Sequence, residues 1–462
     1  MQMSKEKALP KERSIPKGFS IKWSTQTTSN ILLTILVGYI TYYCTNALSM
    51  SPGLVGIILL LSKLLDGVTD IIASIIIERT NTKMGKARPF ILLAPIGWVV
   101  TVMMFSTPAL GTVGKAIYIF VTYFMINSVC ATLFNAAEPV YLARALKNKE
   151  DSAAVLSVSG LIASLCALVA GVAFPFLITA FGSQPGGWTK IALIYAFPGA
   201  ILSLIRFFTI KERTEENVQM QSNAKFGVKD IFKVMIGNKH ALALIIVAVL
   251  SAINANSGPT NAYFFQYIMG NLNLASVAGF FSIVGMFCLL LVPALMKRFT
   301  PKQIITYSML FGILGSLLKA FPNMVAQIAA VLVLGLAAVT SLLLPSLFID
   351  CMDYNEWKTG RRVESVFGAM NALATKVGSG LASILIGFVM GIGGYNGDLA
   401  VQSQSAQISI IVLYAGVPVI THTAMFFLMK SYNIDKEMPK VRAELEERKK
   451  SIACGGSLEK AE

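Results

Sequence analysis

The hydrophobic positions fall into twelve runs near 25–48, 53–78, 90–110, 116–143, 153–181, 188–209, 240–268, 274–296, 303–320, 323–348, 364–392 and 405–430. Each approaches or exceeds the roughly 20 residues that carry a helix across a bilayer core. The pattern predicts an all-α polytopic membrane protein with twelve transmembrane helices. The longest polar link, 211–239, falls midway. It divides the chain into a six-helix bundle over 25–210 and a second over 240–431, with polar tails at 1–24 and 432–462. A count of twelve helices in two groups of six is compatible with a carrier, a channel or an intramembrane enzyme. The last tail mixes both charge signs and reads as a solvated segment.

Composition agrees: 55% of residues are hydrophobic and 14% charged, against about 25% charged in soluble proteins. Residues 1–22 form a polar, basic tail with no cleavage signature behind it, so the first helix is expected to act as the insertion signal. A net charge of +15 would raise the question of nucleic acid in a soluble protein, but the placement of the charges answers it. Of 39 Lys and Arg, all except Lys63, Lys115, Lys190, Lys319 and Lys376 lie in the tails and in alternate loops. By the positive-inside rule both termini are expected in the cytoplasm of a cell-membrane protein. Lys115, Lys190 and Lys319 read as residues of the opposite loops. The expected partners are the lipid bilayer and a small molecule, with the chain a monomer.

Six cysteines show no metal-ligand spacing. Two histidines, His240 and His422, leave little material for a Ser-His-Asp triad or a His-rich metal site. No enzyme activity and no cofactor beyond a coupling cation are expected.

The informative residues are polar ones inside the apolar runs. Lys63, Asp66, Thr69, Asp70 and Ser74 share one face of the second helix. Ionised groups at such depth cost at least about 2.5–3.5 kcal/mol and usually face a bundle interior or a watery path. Two acids beside one local lysine leave a surplus negative charge that would recruit a cation; a plain salt-bridge network between helices is the competing reading. Ser128, Thr132 and Asn135 lie along the fourth helix, with Asn127 and Glu138 at the flank, and Thr132 could add an oxygen ligand. The alternative is a threonine bonded to its own helix. Asn30, Thr34, Thr41 and Thr45 on helix 1, with Asn254, Asn256, Asn261, Tyr263 and Tyr267 on helix 7, set amides among aromatic rings. That mixture suits a neutral polyhydroxylated ligand such as a sugar, although interfacial tyrosine belts compete. Lys376, deep in the eleventh helix at the depth of Asp66, is a candidate partner across the two halves.

The run Asp66-Gly67-Val68-Thr69-Asp70, the segment Lys83-Met84-Gly85-Lys86-Ala87-Arg88-Pro89, the segment Tyr263 to Gly270, and Asp350 to Glu364 around Asp353-Tyr354-Asn355-Glu356-Trp357-Lys358 resemble the glycoside-pentoside-hexuronide:cation symporters of the major facilitator superfamily. The resemblance implies that Asp66 and Asp70 bind the coupling cation, that Thr69 and Thr132 add oxygen ligands, and that Lys63 and Lys376 complete a charge network. Na+ is favoured over H+, because a proton would not require those neutral oxygens. The expected substrate site is Asn30, Thr34, Asn135, Tyr263, Tyr267 and Lys376. A cytoplasmic gate of Asp350, Asp353, Glu356, Arg361 and Arg362 follows as well. Positions where the family carries sugar-binding charges match Asn30, Asn135 and the vicinity of Gly160, so the substrate stays open. The main reading is cation-coupled symport of a sugar or glycoside. The alternatives are a same-fold transporter or sensor for another solute or lipid, and an intramembrane enzyme on lipid-linked sugars.

Overall fold

A computed structural model describes residues 15–146, 149–212, 239–289, 291–360 and 364–453. All twelve apolar runs are helical. Helix α1 runs over Phe19–Gly38 and, after a break at Tyr39, over Ile40–Asn46. It is followed by α2 (Pro52–Arg79), α3 (Arg88–Met104), α4 (Thr112–Ala145), α5 (Lys149–Phe181) and α6 (Gly187–Thr209). The second half holds α7 (His240–Tyr267), α8 (Asn273–Gly285), α9 (Pro301–Leu318), α10 (Met324–Thr359), α11 (Glu364–Ile392) and α12 (Gln404–Ser431). Among the described residues, seven helices are long and apolar enough to cross a membrane by length and composition alone. They are α4, α5, α6, α7, α10, α12 and the Met370–Ile392 stretch of α11.

Local signals set several boundaries. Thr300 caps α9 in a reciprocal box with Gln303, and Pro301 occupies the first turn, where its missing N–H costs nothing. Asn323 accepts a hydrogen bond from the Ala326 N–H at the start of α10. Gly360, at φ 68°, ends that helix in the left-handed conformation.

The α2–α3 link is clamped by one carboxylate. Glu212 accepts hydrogen bonds from the backbone N–H groups of Lys86 (3.0 Å), Ala87 (2.9 Å) and Arg88 (3.0 Å), and meets Arg144 at 3.3 Å. Gly85 sits at φ 115°, and a Cβ there would run into the same carboxylate. Only glycine fits, on both conformational and steric grounds. Close by, the fully buried Arg206 guanidinium donates to Glu138 at 2.8 Å and lies 3.5 Å from the Trp23 ring centroid.

The apolar cores show how the halves meet. At the end that carries both chain termini there are two separate clusters. One surrounds Trp23, Phe134, Tyr141 and Phe207, and the other surrounds Leu347, Phe348, Phe367 and Met429. At the opposite end a single cluster spans both halves, joining Tyr42, Tyr43, Phe174 and Trp188 to Tyr263, Phe264, Tyr395 and Tyr414. There α2 and α11 approach so closely that a Cβ on Gly387 would lie 2.5 Å from the Pro52 carbonyl oxygen and 2.9 Å from the Gly56 Cα. Small residues at such a crossing let backbones pack without hydrophobic bulk between them.

The expectation of a solvated last tail is corrected. Among the described residues a further helix, α13 (Met438–Ala453), buries Met438, Val441 and Leu445 in one cluster with Leu347, Phe348 and Cys351. Arg442 donates to Asp350 at 2.6 Å, the Trp357 indole N–H donates to Glu444 at 2.5 Å, and Lys302 meets Asp435 at 3.5 Å. The mixed charges of the tail mark the outer face of a docked amphipathic helix. Met438, Val441 and Leu445 supply its inner face.

Removing one member of a buried ion pair strands the other, a loss of about 3–5 kcal/mol. Arg206→Ala is therefore expected to lower the thermal unfolding midpoint of the detergent-purified protein sharply, with Arg206→Met combined with Glu138→Gln recovering most of the loss. An unchanged midpoint in the single variant would contradict the assigned packing.

Candidate functional site

A cavity of about 1030 Å³ lies between the halves. Its polar wall includes Asn30, Thr34, Asn127 and Asn135 from α1 and α4, and Asn254, Asn256 and Asn261 from α7. Lys63 of α2 also reaches it, as does Lys319 just beyond the end of α9.

The α2 stripe forms the charged centre beside this cavity. Asp66 is buried, its Oδ2 lies 3.5 Å from Lys63 Nζ, and its Oδ1 accepts a short hydrogen bond from the Ser128 hydroxyl. Lys376 reaches across from α11, pairing with Asp70 and donating to the Asp66 backbone carbonyl at 3.1 Å. The Asp70 side chain is 43% exposed against 5% for Asp66, so Asp70 is the less enclosed of the two carboxylates. The surplus negative charge expected from the sequence is absent in this conformation, since two carboxylates meet two ammonium groups. The salt-bridge network that competed with that expectation describes the observed pairing. Among the described residues, no three His, Cys, Asp or Glu side chains gather as metal ligands.

Ser128 reaches Asp66 because α4 carries a π-helical turn over Met125–Ala131. One extra residue per turn rotates the face that meets α2, and such turns recur at functional sites. Thr132, further along, donates to the Asn127 carbonyl at 3.2 Å, five residues back, and Thr69 donates to the Asp66 carbonyl at 3.1 Å. Both hydroxyls keep lone pairs but contact neither carboxylate. Ser128 carried a signal, since it shares a face with Thr132; the π turn that selects it carried none.

Of the expected substrate residues, Asn30, Thr34 and Asn135 line the cavity, and Lys376 stands at the charged centre instead. Tyr263 and Tyr267 require a correction. Tyr263 is 1% exposed, exchanges a hydrogen bond with Thr45 at 2.7 Å and packs against the Tyr42 and Tyr395 rings. The Tyr267 hydroxyl donates to Asn46 at 3.3 Å, and Tyr395 donates to the same amide oxygen. Together they plug the end of the cavity away from the termini. Asn46 and Tyr395, the hub and the lid of this plug, were not singled out from sequence.

Only part of the expected gate falls within the described residues. Asp350 pairs with Arg442 of the tail helix, while Arg361 and Arg362 lie outside the described residues. Asp353 and Glu356 occupy the same end of α10.

A helical membrane protein of two bundles with a polar cavity and a charged centre between them has the architecture of a major facilitator transporter. The chain matches the family of MFS/sugar transport proteins over residues 24–436 and belongs to that family. It is 26% identical over 433 residues to an isoprimeverose transporter of Lactiplantibacillus pentosus, covering 91% of this chain and 89% of that one. It is 27% identical over 405 residues to a putative glycoside/cation symporter of Escherichia coli (strain K12), covering 86% and 87%. An uncharacterized symporter of Bacillus subtilis (strain 168) is 30% identical over 404 residues, covering 85% and 86%. In fold it is similar to a D-xylose-proton symporter, with a TM-score of 0.59 at 14% identity over 89% of this chain and 97% of that chain. A nucleoside transporter superposes with a TM-score of 0.62 at 16% identity, over 88% and 99%. The protein is a multi-pass membrane transporter and not an enzyme.

Overpacking a tight contact costs about 1–3 kcal/mol. Gly387→Leu, at the closed crossing with Gly56, should therefore part the halves at the plug. In a background where the buried Cys44 is the sole cysteine, its labelling by a membrane-impermeant maleimide is expected to rise severalfold. Labelling as slow as in the parent would show that this crossing does not hold the plug shut.

Proposed function

We propose that the protein is a cation-coupled symporter of a sugar or glycoside working by alternating access, with Na+ favoured over H+. The observation that carries this reading is the Lys376 bridge, which ties the second half to the acid pair on α2 of the first. Asp66 and Asp70 are the cation carboxylates. Ser128, Thr69 and Thr132 are the nearby hydroxyl-bearing residues that would complete an oxygen shell once the side chains reorient.

The positive-inside expectation puts the basic tails and loops on the cytoplasmic side. On that orientation the plugged end is outward and the parted end inward, which supports reading this arrangement as the inward-facing state of the carrier. Here Lys376 occupies the acid that a cation would need. A cation can change this balance only through different affinities for the two states. Lys376 supplies that difference by competing for Asp70 when the carrier faces the cytoplasm, which favours cation release there. In the outward-facing state the bridge must loosen, and the exposed Asp70 becomes available. Binding of cation and of sugar are then mutually reinforcing, as reciprocal coupling demands.

Asp66→Asn and Asp70→Asn are each expected to abolish uphill sugar accumulation driven by an imposed sodium gradient in vesicles, with membrane insertion intact. Lys376→Gln, which frees Asp70, should strengthen apparent sodium affinity on the order of tenfold, equivalent to about 1.4 kcal/mol. Uphill uptake that persists in both carboxylate variants would remove the mechanism. Accumulation driven by a proton gradient without sodium would reassign the coupling ion.

A further inference from the structure

Lys63 and Lys319 are the only charged residues that line the cavity among the described residues, and no acid faces it. Lys63 is matched by Asp66. Lys319 has no carboxylate and no hydrogen-bond acceptor on its ammonium among the described residues; its partner is the face of Tyr414, whose ring centroid lies 4.3 Å away.

This arrangement is built rather than incidental. Gln327, 1% exposed, donates to the Lys319 carbonyl at 3.1 Å and accepts from the Tyr414 hydroxyl at 2.9 Å, so one buried amide fixes both the lysine backbone and the ring beneath the ammonium. Phe264 stacks on Tyr414 with centroids 4.2 Å apart, and a second π-helical turn, Val412–Gly416, carries that ring. On the same half, Asn254 lines the cavity, and its Oδ1 accepts from Thr421 at 2.7 Å. Its buried Nδ2 has no acceptor within the protein. A ring face satisfies the charge of an ammonium in part but none of its three N–H donors. Two sets of donors without acceptors thus face a cavity whose remaining wall is amide, hydroxyl and apolar.

We propose that Lys319 is an anion subsite, and that the transported solute is a hydroxylated molecule bearing a fixed negative charge, a sugar carboxylate or sulfonate. The inference rests on the symport reading above and names the substrate class for it. The anionic group takes charge-assisted hydrogen bonds from Lys319, with Asn254 as a neutral second donor, while Asn30, Thr34 and Asn135 on the facing wall meet hydroxyls. Where the resemblance would lead one to expect acids that hold hydroxyl groups, Asn30 and Asn135 remove negative charge that would repel such a solute.

The test compares matched pairs on the purified full-length protein in lipid with sodium present: methyl β-glucuronide against methyl β-glucoside, and a 6-sulfonate sugar against its parent. The anionic member of each pair is expected to bind about tenfold more tightly, a difference of about 1.4 kcal/mol. Lys319→Gln should bring the members of each pair to within about twofold, under 0.5 kcal/mol by the same conversion, and Lys319→Arg should retain the preference. A wild-type protein that binds and symports the neutral glycoside as well as the charged one overturns the anion subsite and leaves symport standing. An anionic preference that survives Lys319→Gln overturns the assignment to Lys319. Absence of sodium-coupled transport for every member of both pairs overturns the anion subsite together with the proposed function.

Discussion

The pairing of Asp70 with Lys376 is the contact on which the rest of the molecule turns. An uncompensated carboxylate beside a low-dielectric wall is strongly disfavoured, and so is an unmatched ammonium on the facing helix. Each half of the protein carries one side of this imbalance, and neither resolves it alone. Asp66 differs because its own helix supplies Lys63 and the neighbouring α4 supplies Ser128. The inner acid is therefore settled within the first half, whereas the outer one depends on the second. In the symport reading that asymmetry makes Asp70 the variable element, since a mobile cation and a tethered ammonium would be alternatives for the same oxygen atoms.

The two ends of the cavity are closed by different physics. At the plugged end, aromatic rings from both halves interlock and glycines let α2 and α11 touch backbone to backbone. Such a contact is dry, tightly packed and steep in its distance dependence, so it is either formed or broken. The termini end carries more ion pairs. Its elements are held within each half by Glu212 on one side and by the Arg442–Asp350 pair on the other. Each half is thereby stiffened as a body of its own, which rigid rocking requires.

Much of this was legible in the sequence, and the failures have physical causes. Apolar runs of membrane length survive every detail of packing, so the twelve helices were readable, as was the stripe from Lys63 to Ser74. A π turn breaks the periodicity on which face assignments rest, and that is why Ser128 was passed over in favour of Thr132. Tyr263 and Tyr267 sit among amides in the sequence, but composition cannot say whether a tyrosine faces a cavity or a seal. Lys319 was read as a loop residue because it follows the last apolar position of α9; only the Gln327 bridge and the Tyr414 ring show that the chain folds it inward. The tail was misjudged by its charge content, although Met438, Val441 and Leu445 repeat at the spacing of one helical face.

Lys63 connects the two kinds of site. Its ammonium pairs with Asp66 and also forms part of the cavity wall, 5.8 Å from the ring centroid of Tyr123. A solute resting against that wall alters the surroundings of Lys63, and any change there is felt by the carboxylate 3.5 Å away. In the symport reading, communication between solute and cation then has a short path, because Lys63 both lines the cavity and pairs with Asp66. A carrier built this way can hold its energetic coupling within a few ångströms while its visible motion extends over the whole bundle. In that reading the local pairing decides which state is favoured, and the two halves transmit that decision to the plug.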